Sequence, residues 1–476
     1  MFDQSFSAKN FYNILLIENR KGRNLEKEFF EQEIFIKYTL RIRDINKKLK
    51  KNLVTFINQD QKSRKPSNEV YERYKSSLGY YKKKLKFEKE ERLLDLLNEV
   101  SINIQQPYFK FSLTTKLFNG KRIYTVDNNV ETYFAMKQLQ YNFHKLYGVK
   151  QANRFEIVNQ VKNLLNDRFP KYIIKTDIKG FYENIPNSEI IEKLNSDNLL
   201  SPKSKKFIKQ ILRNYEKLAL VPKGQGIPRG IGISAYLSEY YMRRLDKQLI
   251  DLEDVVYYSR YVDDILIIFT PKYDYTITNY FERVKEIVEI KYHLALNNRK
   301  TDRINLIKKQ NTIQINDNSK SSPQRLNYLG YSFELLNNSK KQNIPDIEIY
   351  LTQDKINRYK TKIKNSLDIY NRYKDKNKAY RHLKNRVKFL TGNTRLINNK
   401  SNVLVGIYFS NTLLTKPDTL KILDKYLIWY IKRNVKKTSH KEALLKYSFF
   451  EGFTEKENRF YTFDKYQLRQ IVKIWN

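Results

Sequence analysis

The sequence contains no cysteine, which excludes disulfide bonds, thiolate metal sites and cysteine nucleophiles. Histidine is scarce as well, and its copies are too scattered to indicate a zinc site: His144, His293, His382 and His440. No apolar run reaches the roughly 18–20 residues of a membrane-spanning helix, and the first residues do not form a signal peptide. We therefore expect a cytoplasmic protein without a membrane partner.

Acidic residues are also few relative to basic ones. The 476 residues include 91 Lys and Arg but only 51 Asp and Glu, which gives a formal net charge of +40. A surplus of this size predicts a polyanionic partner, above all a nucleic acid. Codon usage in an AT-rich genome would also enrich lysine, which is a second explanation for part of the surplus. The 40% apolar content is enough for a core, and the length suits two or three domains.

Charge and periodicity predict three parts, with boundaries at 1–105, 106–345 and 346–476. The first part is highly charged and helical, with one helix from Glu26 to Phe56, a break at 59–67 and a second helix from Asn68 to Val100. The middle part alternates between strand and helix periods and includes a hairpin whose turn is Asn119-Gly120. The last part is mostly helical.

Two adjacent carboxylates, Asp263 and Asp264, form the strongest local signal. They lie between two segments, 254–261 and 265–269, that are rich in apolar, aromatic and β-branched residues and predict the strands of a hairpin. Because Asp also suits tight turns on its own account, the pair alone is a modest signal. Like charges this close repel, and a pair of divalent cations removes that cost while supplying a phosphoryl-transfer catalyst.

A third carboxylate, Asp177, ends the predicted strand 171–176. Mg²⁺ prefers a few carboxylates and takes its remaining ligands from water and substrate phosphates. We therefore predict that Asp177, Asp263 and Asp264 bind two Mg²⁺ ions, with Mn²⁺ as an alternative. The backbone carbonyl of Ile178 is a further candidate ligand. Two acidic strand ends spaced in this way are typical of a polymerase palm.

Three segments are candidates for contacting a nucleotide. The glycine-rich segment 224–234 precedes a predicted helix, so its backbone can approach a ligand and the helix start can bind an anion. An aromatic pair soon after Asp177 would line the sugar, although core packing explains the first ring equally well. A basic pair on the predicted hairpin would reach a triphosphate, although solvation alone explains it equally well. The predicted contacts are Lys121, Arg122, Phe181, Tyr182, Gly226, Pro228, Arg229 and Gly230.

The order and spacing of these motifs resemble the reverse transcriptase family over roughly residues 110–340. Asp177 resembles the first acidic motif, 226–234 the glycine-rich motif and 261–264 the catalytic hairpin. The resemblance implies an α+β right-hand polymerase with an antiparallel palm sheet. A helical N-terminal extension would precede fingers and palm at 106–345, and a helical thumb and C-terminal region would follow.

The resemblance also implies roles for single residues. Lys300, just after a predicted short strand, would protonate the leaving group, and Tyr182 stands at the position that excludes a ribose 2′-hydroxyl. The predicted primer grip is Tyr328, Leu329 and Gly330. Arg229 stands where many members have a glutamine that contacts the incoming nucleotide. A guanidinium there can stack on a base or bind a phosphate, which puts ordinary template-directed selection in doubt.

Within the family, the chain resembles the bacterial defence-associated and abortive-infection reverse transcriptases, in particular the type 3 kind. Residues 177–186, 153–158, 388–396 and 405–411 carry this resemblance, and we expect no RNase H, maturase or endonuclease segment. We expect an RNA-directed DNA polymerase that acts in antiviral defence and binds RNA, DNA and dNTPs. A non-coding RNA, a second defence protein and a second copy of the chain are further candidate partners.

Three alternatives stay open at this point. The first is an untemplated or protein-primed DNA polymerase of the same fold, and the second is an RNA-synthesising or terminal transferase enzyme. The third is a non-catalytic nucleic-acid-binding subunit of a defence complex, which the three intact carboxylates argue against. The sequence leaves the template, the primer, the phage trigger and the oligomeric state open.

Overall fold

The computed structural model describes residues 2–30, 32–60, 68–118, 120–150, 152–167, 169–272, 279–306, 324–335, 347–396 and 402–475. The helices are α1 Ala8–Arg20, α2 Leu25–Phe29, α3 Gln32–Asp60, α4 Asn68–Gln105, α5 Val130–Tyr147, α6 Arg154–Asn166, α7 Phe181–Asn184, α8 Asn187–Ser196, α9 Pro202–Ala219, α10 Ser234–Ile250, α11 Tyr280–Lys285, α12 Gln353–Arg372, α13 Lys376–Thr391, α14 Asp418–Asn434, α15 Thr438–Leu445, α16 Phe449–Thr454 and α17 Lys465–Val472. The strands are β1 Leu113–Phe118, β2 Lys121–Val126, β3 Tyr172–Asp177, β4 Val255–Tyr261, β5 Asp264–Phe269, β6 Asp302–Asn305, β7 Gln324–Tyr328, β8 Tyr331–Leu335, β9 Ile347–Leu351, β10 Asn393–Arg395 and β11 Leu404–Gly406. A π-helical turn, Glu286–Lys291, and a 3-10 turn, Asn298–Lys300, complete the set. Among these described helices, none combines the length and the apolar character that crossing a bilayer requires.

The chain forms two compact units. The first contains Met1–Val149 and Pro186–Tyr236, and the second contains Lys150–Ile185 and Leu237–Asn476. The three parts predicted from the sequence are consecutive stretches of the chain, whereas each of these two units combines two separate stretches. The assignment of an N-terminal extension, fingers and palm, and thumb to the three parts stays a prediction.

The first unit is mainly helical. Its helices α1, α4 and α5 pack around buried aromatic side chains, among them Phe11 and Phe134, whose ring centroids are 5.4 Å apart. The two-stranded hairpin β1–β2 packs on α9. Helix α5 begins where the Asn129 side chain accepts a hydrogen bond from the Thr132 amide, and it ends at Gly148 in the left-handed conformation.

The second unit contains two antiparallel sheets that share a core. One sheet has the strand order β4-β5-β3-β6 and the other β7-β8-β9. Ile173, Leu266 and Ile268 from the first sheet pack in one buried cluster with Phe333 and Ile349 from the second. Strand β5 is buried along almost its whole length, which matches its unbroken apolar run. Downstream, α12, α13 and α14 surround a second apolar cluster.

The structure confirms the predicted mixture of helices and antiparallel strands and corrects some boundaries. The single helix predicted from Glu26 to Phe56 is instead α2 and α3, because Phe30 takes an extended conformation between them. That break lets Phe29 pack against Tyr133, with ring centroids 5.0 Å apart. Helix α4 continues past Val100 because Ile104 is buried.

Two predicted turns fall partly outside the described residues. Residues 61–67 of the predicted break and Asn119 of the predicted hairpin turn are not described. The hairpin itself is present: β1 and β2 pair in a register that places Phe118 opposite Lys121.

Candidate active site

The pairing of β3 with β5 brings two of the predicted carboxylates face to face. Asp177 and Asp264 are direct partners across this antiparallel pair, and Tyr261 is the partner of Asp264 on β4. Cross-strand partners on one face have Cβ atoms about 4.5–5.5 Å apart. Asp263 lies in the turn between β4 and β5. All three predicted aspartates therefore lie at one end of the four-stranded sheet.

Backbone hydrogen bonds fix this end of the sheet. The Ile178 amide donates to the Asp263 carbonyl at 3.1 Å, and the Asn297 amide donates to the Asp177 carbonyl at 2.8 Å. Val262, the residue before Asp263, has a φ of +61°. The left-handed conformation is costly for a β-branched side chain, and such strain is typical of functional sites.

The three carboxylates lie close together, and both burial and this crowding raise the pKa of Asp264. Burial, together with the neighbouring charges of Asp263 and Asp177, raises the pKa of Asp264 to about 6. Asp177 is buried, and its Oδ2 accepts hydrogen bonds from Lys300 Nζ at 3.0 Å and Asn297 Nδ2 at 3.2 Å. The hydrogen bond to Asp177 raises the pKa of Lys300.

The donor set fits a hard divalent cation. In the parts of the chain that the structure describes, no three acidic, histidine or cysteine side chains form a complete metal site as they stand. Lys300 instead neutralises part of the charge on Asp177. Three crowded carboxylates are nevertheless the ligands that Mg²⁺ prefers, and a cation would relieve the repulsion that raises the pKa of Asp264. Metal binding by Asp177, Asp263, Asp264 and the Ile178 carbonyl stays a prediction.

Lys300 differs in its setting from the prediction. It lies in a 3-10 turn, and the predicted strand before it is reduced to an isolated bridge between Leu296 and Ile178. Asn297, just before the turn, bonds Asp177 with both its amide and its side chain. Sequence reasoning included Asn297 in the motif around Lys300, at 297–301, but gave it no role of its own.

The glycine-rich segment and the basic pair come together in the first unit. The Tyr124 amide on β2 donates to the Arg229 carbonyl at 2.7 Å. Gly230 has a φ of +101°, and a Cβ there would lie 2.8 Å from the Tyr124 carbonyl, so only glycine fits this close approach. Lys121 and Arg122 are exposed at the start of the same strand.

Gly226 and Pro228 accept hydrogen bonds that fix the backbone conformation of the glycine-rich segment. The Gly226 carbonyl accepts a hydrogen bond from Asn187 Nδ2 at 2.9 Å, and the Pro228 carbonyl accepts one from Ser234 Oγ at 2.6 Å. Both Gly226 and Pro228 are buried, so their contribution is to hold the segment in place. These residues belong to the first unit and the aspartates belong to the second.

Comparison with known proteins relates this set of motifs to one protein family. The profile of the family "Reverse transcriptase (RNA-dependent DNA polymerase)" matches residues 119–333, a stretch that contains all the predicted site residues. Residues 119–333 therefore match a reverse transcriptase domain. The predicted α+β polymerase fold with an antiparallel palm sheet is therefore confirmed. No curated protein sequence is significantly similar to the chain.

Solved structures that resemble the chain include telomerases of two Candida species. Apo telomerase from Candida tropicalis truncated from its C-terminal domain has a TM-score of 0.32 and 17% identity, and the match covers 54% of this chain and 60% of that one. Telomerase from Candida albicans in complex with a TWJ fragment of telomeric RNA has a TM-score of 0.33 and 15% identity, with 77% and 64% covered. The chain thus spans less than two thirds of these relatives.

The aromatic pair of the reverse transcriptase domain divides between core and surface. Phe181 is only 1% exposed, so the structure supports core packing for it and corrects the prediction that it lines the sugar. Tyr182 is half-buried, with its ring centroid 5.2 Å from that of Phe181 in an edge-on arrangement. The contact with a sugar stays a prediction for Tyr182 alone.

The predicted primer grip is the turn between β7 and β8. Leu329 and Gly330 both have positive φ, and the Leu329 carbonyl accepts a hydrogen bond from Arg154 Nε at 2.9 Å. Tyr328 is buried, and its hydroxyl is 3.2 Å from Ser259 Oγ on β4, so this residue joins the two sheets rather than facing a ligand. The prediction that a primer contacts this turn therefore applies to Leu329 and Gly330.

Basic side chains that sequence reasoning missed surround this turn. Burial, together with the charges of Arg154 and Arg358, lowers the pKa of Lys355 to about 7. Lys355 Nζ also lies 4.8 Å from the centre of the Tyr331 ring. Cations that lower the pKa of a neighbouring lysine in this way repel it, and a bound phosphate would relieve that repulsion.

Proposed function

We propose that the chain is an RNA-directed DNA polymerase that adds dNTPs by two-metal phosphoryl transfer. The observation that carries the proposal is the meeting of Asp177, Asp263 and Asp264 at one end of the β3–β5 pair, inside a reverse transcriptase domain. Charge gives independent support, since a formal net charge of +40 suits a protein that holds nucleic acid.

The aspartates and the residues around them would have separate roles in the reaction. Asp177, Asp263 and Asp264 would hold two Mg²⁺ ions, which activate the primer 3′-hydroxyl and neutralise the triphosphate when bound. Lys300, 3.0 Å from Asp177, keeps its proton at neutral pH and can deliver it to the leaving pyrophosphate. Tyr182 is exposed enough to exclude a ribose 2′-hydroxyl.

The biological setting that we propose is bacterial antiviral defence. It rests on the resemblance of residues 177–186, 153–158, 388–396 and 405–411 to the defence-associated group, in particular its type 3 kind. A non-coding RNA, a second defence protein and a second copy of the chain are the partners that this setting suggests, and the cytoplasm is the expected location.

A second candidate is an untemplated or protein-primed DNA polymerase. Arg229 favours it, because this residue replaces the glutamine expected near the templating base and its backbone is held in place by Tyr124. A guanidinium at this position would select a nucleotide by its own contacts rather than through a template.

Incorporation of each labelled dNTP by the purified protein tests both candidates. The assay contains Mg²⁺, is run with and without RNA, and compares the wild type with Asp263→Asn and with Asp251→Asn, a control at an exposed site after α10. RNA-dependent product lost only in Asp263→Asn supports the first candidate. Product without RNA supports the second. Absence of product from the wild type contradicts both.

Defence is tested separately in cells. Phage should form fewer plaques on bacteria that express the wild-type chain with its neighbouring genes than on bacteria that express Asp263→Asn. Equal plaque numbers from the two strains would contradict a defence role that depends on polymerisation.

A further inference from the structure

Arg260 lies on β4 three residues before Asp263 and is almost completely buried, with 8% exposure. A guanidinium has five N–H donors in a fixed plane. Arg260 uses all of them: two on the carboxylate of Glu239, two on that of Asp246, and one on the backbone carbonyl of Val262. These hydrogen bonds are 2.7–3.0 Å long.

The two carboxylates come from one element. Glu239 and Asp246 are both on α10, so they anchor the guanidinium to a helix outside the sheet. The Tyr258 hydroxyl donates to Asp246 Oδ1 at 2.6 Å and holds that carboxylate from the side of β4. The guanidinium therefore has no freedom to rotate, and the direction of its last N–H is fixed.

That last N–H bonds the one strained residue of the catalytic turn. Arg260 Nη1 donates to the Val262 carbonyl at 2.9 Å, and Val262 has the unfavourable φ of +61°. A β-branched residue leaves the left-handed conformation unless its surroundings hold it there. The orientation of the following peptide determines where the Asp263 side chain points.

We propose that Arg260 is a positioning residue for the metal ligands: it holds the Val262 peptide so that Asp263 and Asp264 face Asp177. This inference rests on the proposed function only in taking the three aspartates as metal ligands. Outer partners that orient metal ligands typically contribute about ten- to hundredfold to metal affinity. Lysine cannot replace arginine here, because an ammonium group has three donors and no planar fork.

The test is Mn²⁺ binding, followed by electron paramagnetic resonance in the absence of nucleotide and nucleic acid, together with thermal unfolding. We expect Arg260→Lys to weaken Mn²⁺ binding by about ten- to hundredfold. Glu239→Gln removes one charge from the ion pairs but keeps a side-chain oxygen that accepts from the guanidinium. Asp246 still holds Arg260 through Nε and Nη2, so the bond to the Val262 carbonyl stays in place. This variant should lower the melting temperature without weakening Mn²⁺ binding. Arg325→Lys, which disturbs an ion pair with Glu334 between β7 and β8, should leave Mn²⁺ binding unchanged.

A charge-balanced pair covers the case in which Arg260→Lys does not fold. The double variant Arg260→Lys/Glu239→Gln leaves no surplus carboxylate, and it differs from Glu239→Gln only at the arginine. Weaker Mn²⁺ binding by the double variant than by Glu239→Gln supports the proposal. Equal binding by these two, or a loss in Glu239→Gln as large as in Arg260→Lys, would show a role in stability alone and overturn it.

The same measurement separates this inference from the proposed function. A wild-type chain that binds Mn²⁺ through Arg260-dependent ligands but incorporates no nucleotide contradicts the polymerase and leaves the positioning role intact. A wild-type chain that binds no Mn²⁺ overturns the positioning role together with the metal assignment.

Discussion

At the scale of single residues, the aspartates of the catalytic sheet are placed where they cost stability. Asp264 is half-buried beside two other carboxylates, and its pKa is raised from 3.8 to about 6. The folded chain therefore binds this proton more tightly than the unfolded chain does. Between about pH 4 and pH 6 the contribution of Asp264 to the free energy of unfolding of the metal-free protein should fall as the pH rises, because the folded state must give up a proton that it prefers to keep.

The first prediction follows from this linkage. Asp264→Asn removes the repulsion, so its metal-free melting temperature at pH 7.5 should exceed that of the wild type, and the difference should shrink as the pH falls to 4. Mg²⁺ should stabilise the wild type by mass action and should stabilise the variant less. Differential scanning calorimetry with and without Mg²⁺ measures both effects.

Asp418→Asn is the matched control, since Asp418 is exposed and ion-paired with Lys421, which lowers its pKa. This variant should not raise the melting temperature. A melting temperature of Asp264→Asn at or below that of the wild type would mean that the carboxylates do not strain the metal-free fold.

How far the sequence predicts the site depends on how local its geometry is. The three aspartates were predictable because strand alternation and a tight turn, both local patterns, fix their positions. The partners of Arg260 were not, since Glu239 and Asp246 reach it only after α10 packs beside β4. The burial of Phe181 is likewise tertiary, and the sequence left this residue evenly balanced between core packing and a contact with the sugar.

At the scale of elements, the turn between β7 and β8 shows how backbone shape and charge are combined. A Cβ on Gly330 would lie 2.8 Å from Arg154 Nη2 and 3.5 Å from Lys355 Cδ, and the φ of +80° is unfavourable for any other residue. The sequence predicted a primer grip at Tyr328, Leu329 and Gly330. It did not predict the basic residues, because they come from α6 and α12.

The second prediction tests this turn. Gly330→Ala forces a strained φ, which costs about 1–2 kcal/mol, and it pushes Arg154 away from the Leu329 carbonyl. We expect weaker binding of a primer–template duplex, measured by fluorescence anisotropy, and a lower melting temperature. Gly79→Ala on α4 is the matched control, because nothing lies within 4 Å of its Cβ position. In a helix this change should be neutral or stabilising by about 0.5–1 kcal/mol. If Gly330→Ala bound the duplex as tightly as Gly79→Ala does, the turn would not be part of the primer site.

At the scale of the whole molecule, the basic surplus is locally concentrated. Burial and a neighbouring cation together lower the pKa of lysines in several elements: Lys203 beside Lys206, Lys355 and Lys362 beside Arg358, and Lys388 beside Lys384. Cations this close to one another repel, and a bound polyanion would relieve that repulsion. With a formal net charge of +40, both a nucleic-acid partner and codon usage remain as origins of the surplus until phosphate contacts are counted.

The last prediction separates these two origins of the charge. When a nucleic acid binds Z phosphates, the logarithm of its affinity falls with the logarithm of the salt concentration with a slope of about −0.9Z for duplex DNA. We expect a slope of about −5 or steeper for a primer–template duplex, which corresponds to roughly six or more phosphates. Asp263→Asn should show the same slope, because it removes a metal ligand and no cation. The measurement is anisotropy over a NaCl series without divalent ions. A slope near −1 in the wild type would mean that the surplus lysines contact only about one phosphate, and codon usage would then be the better explanation of the charge.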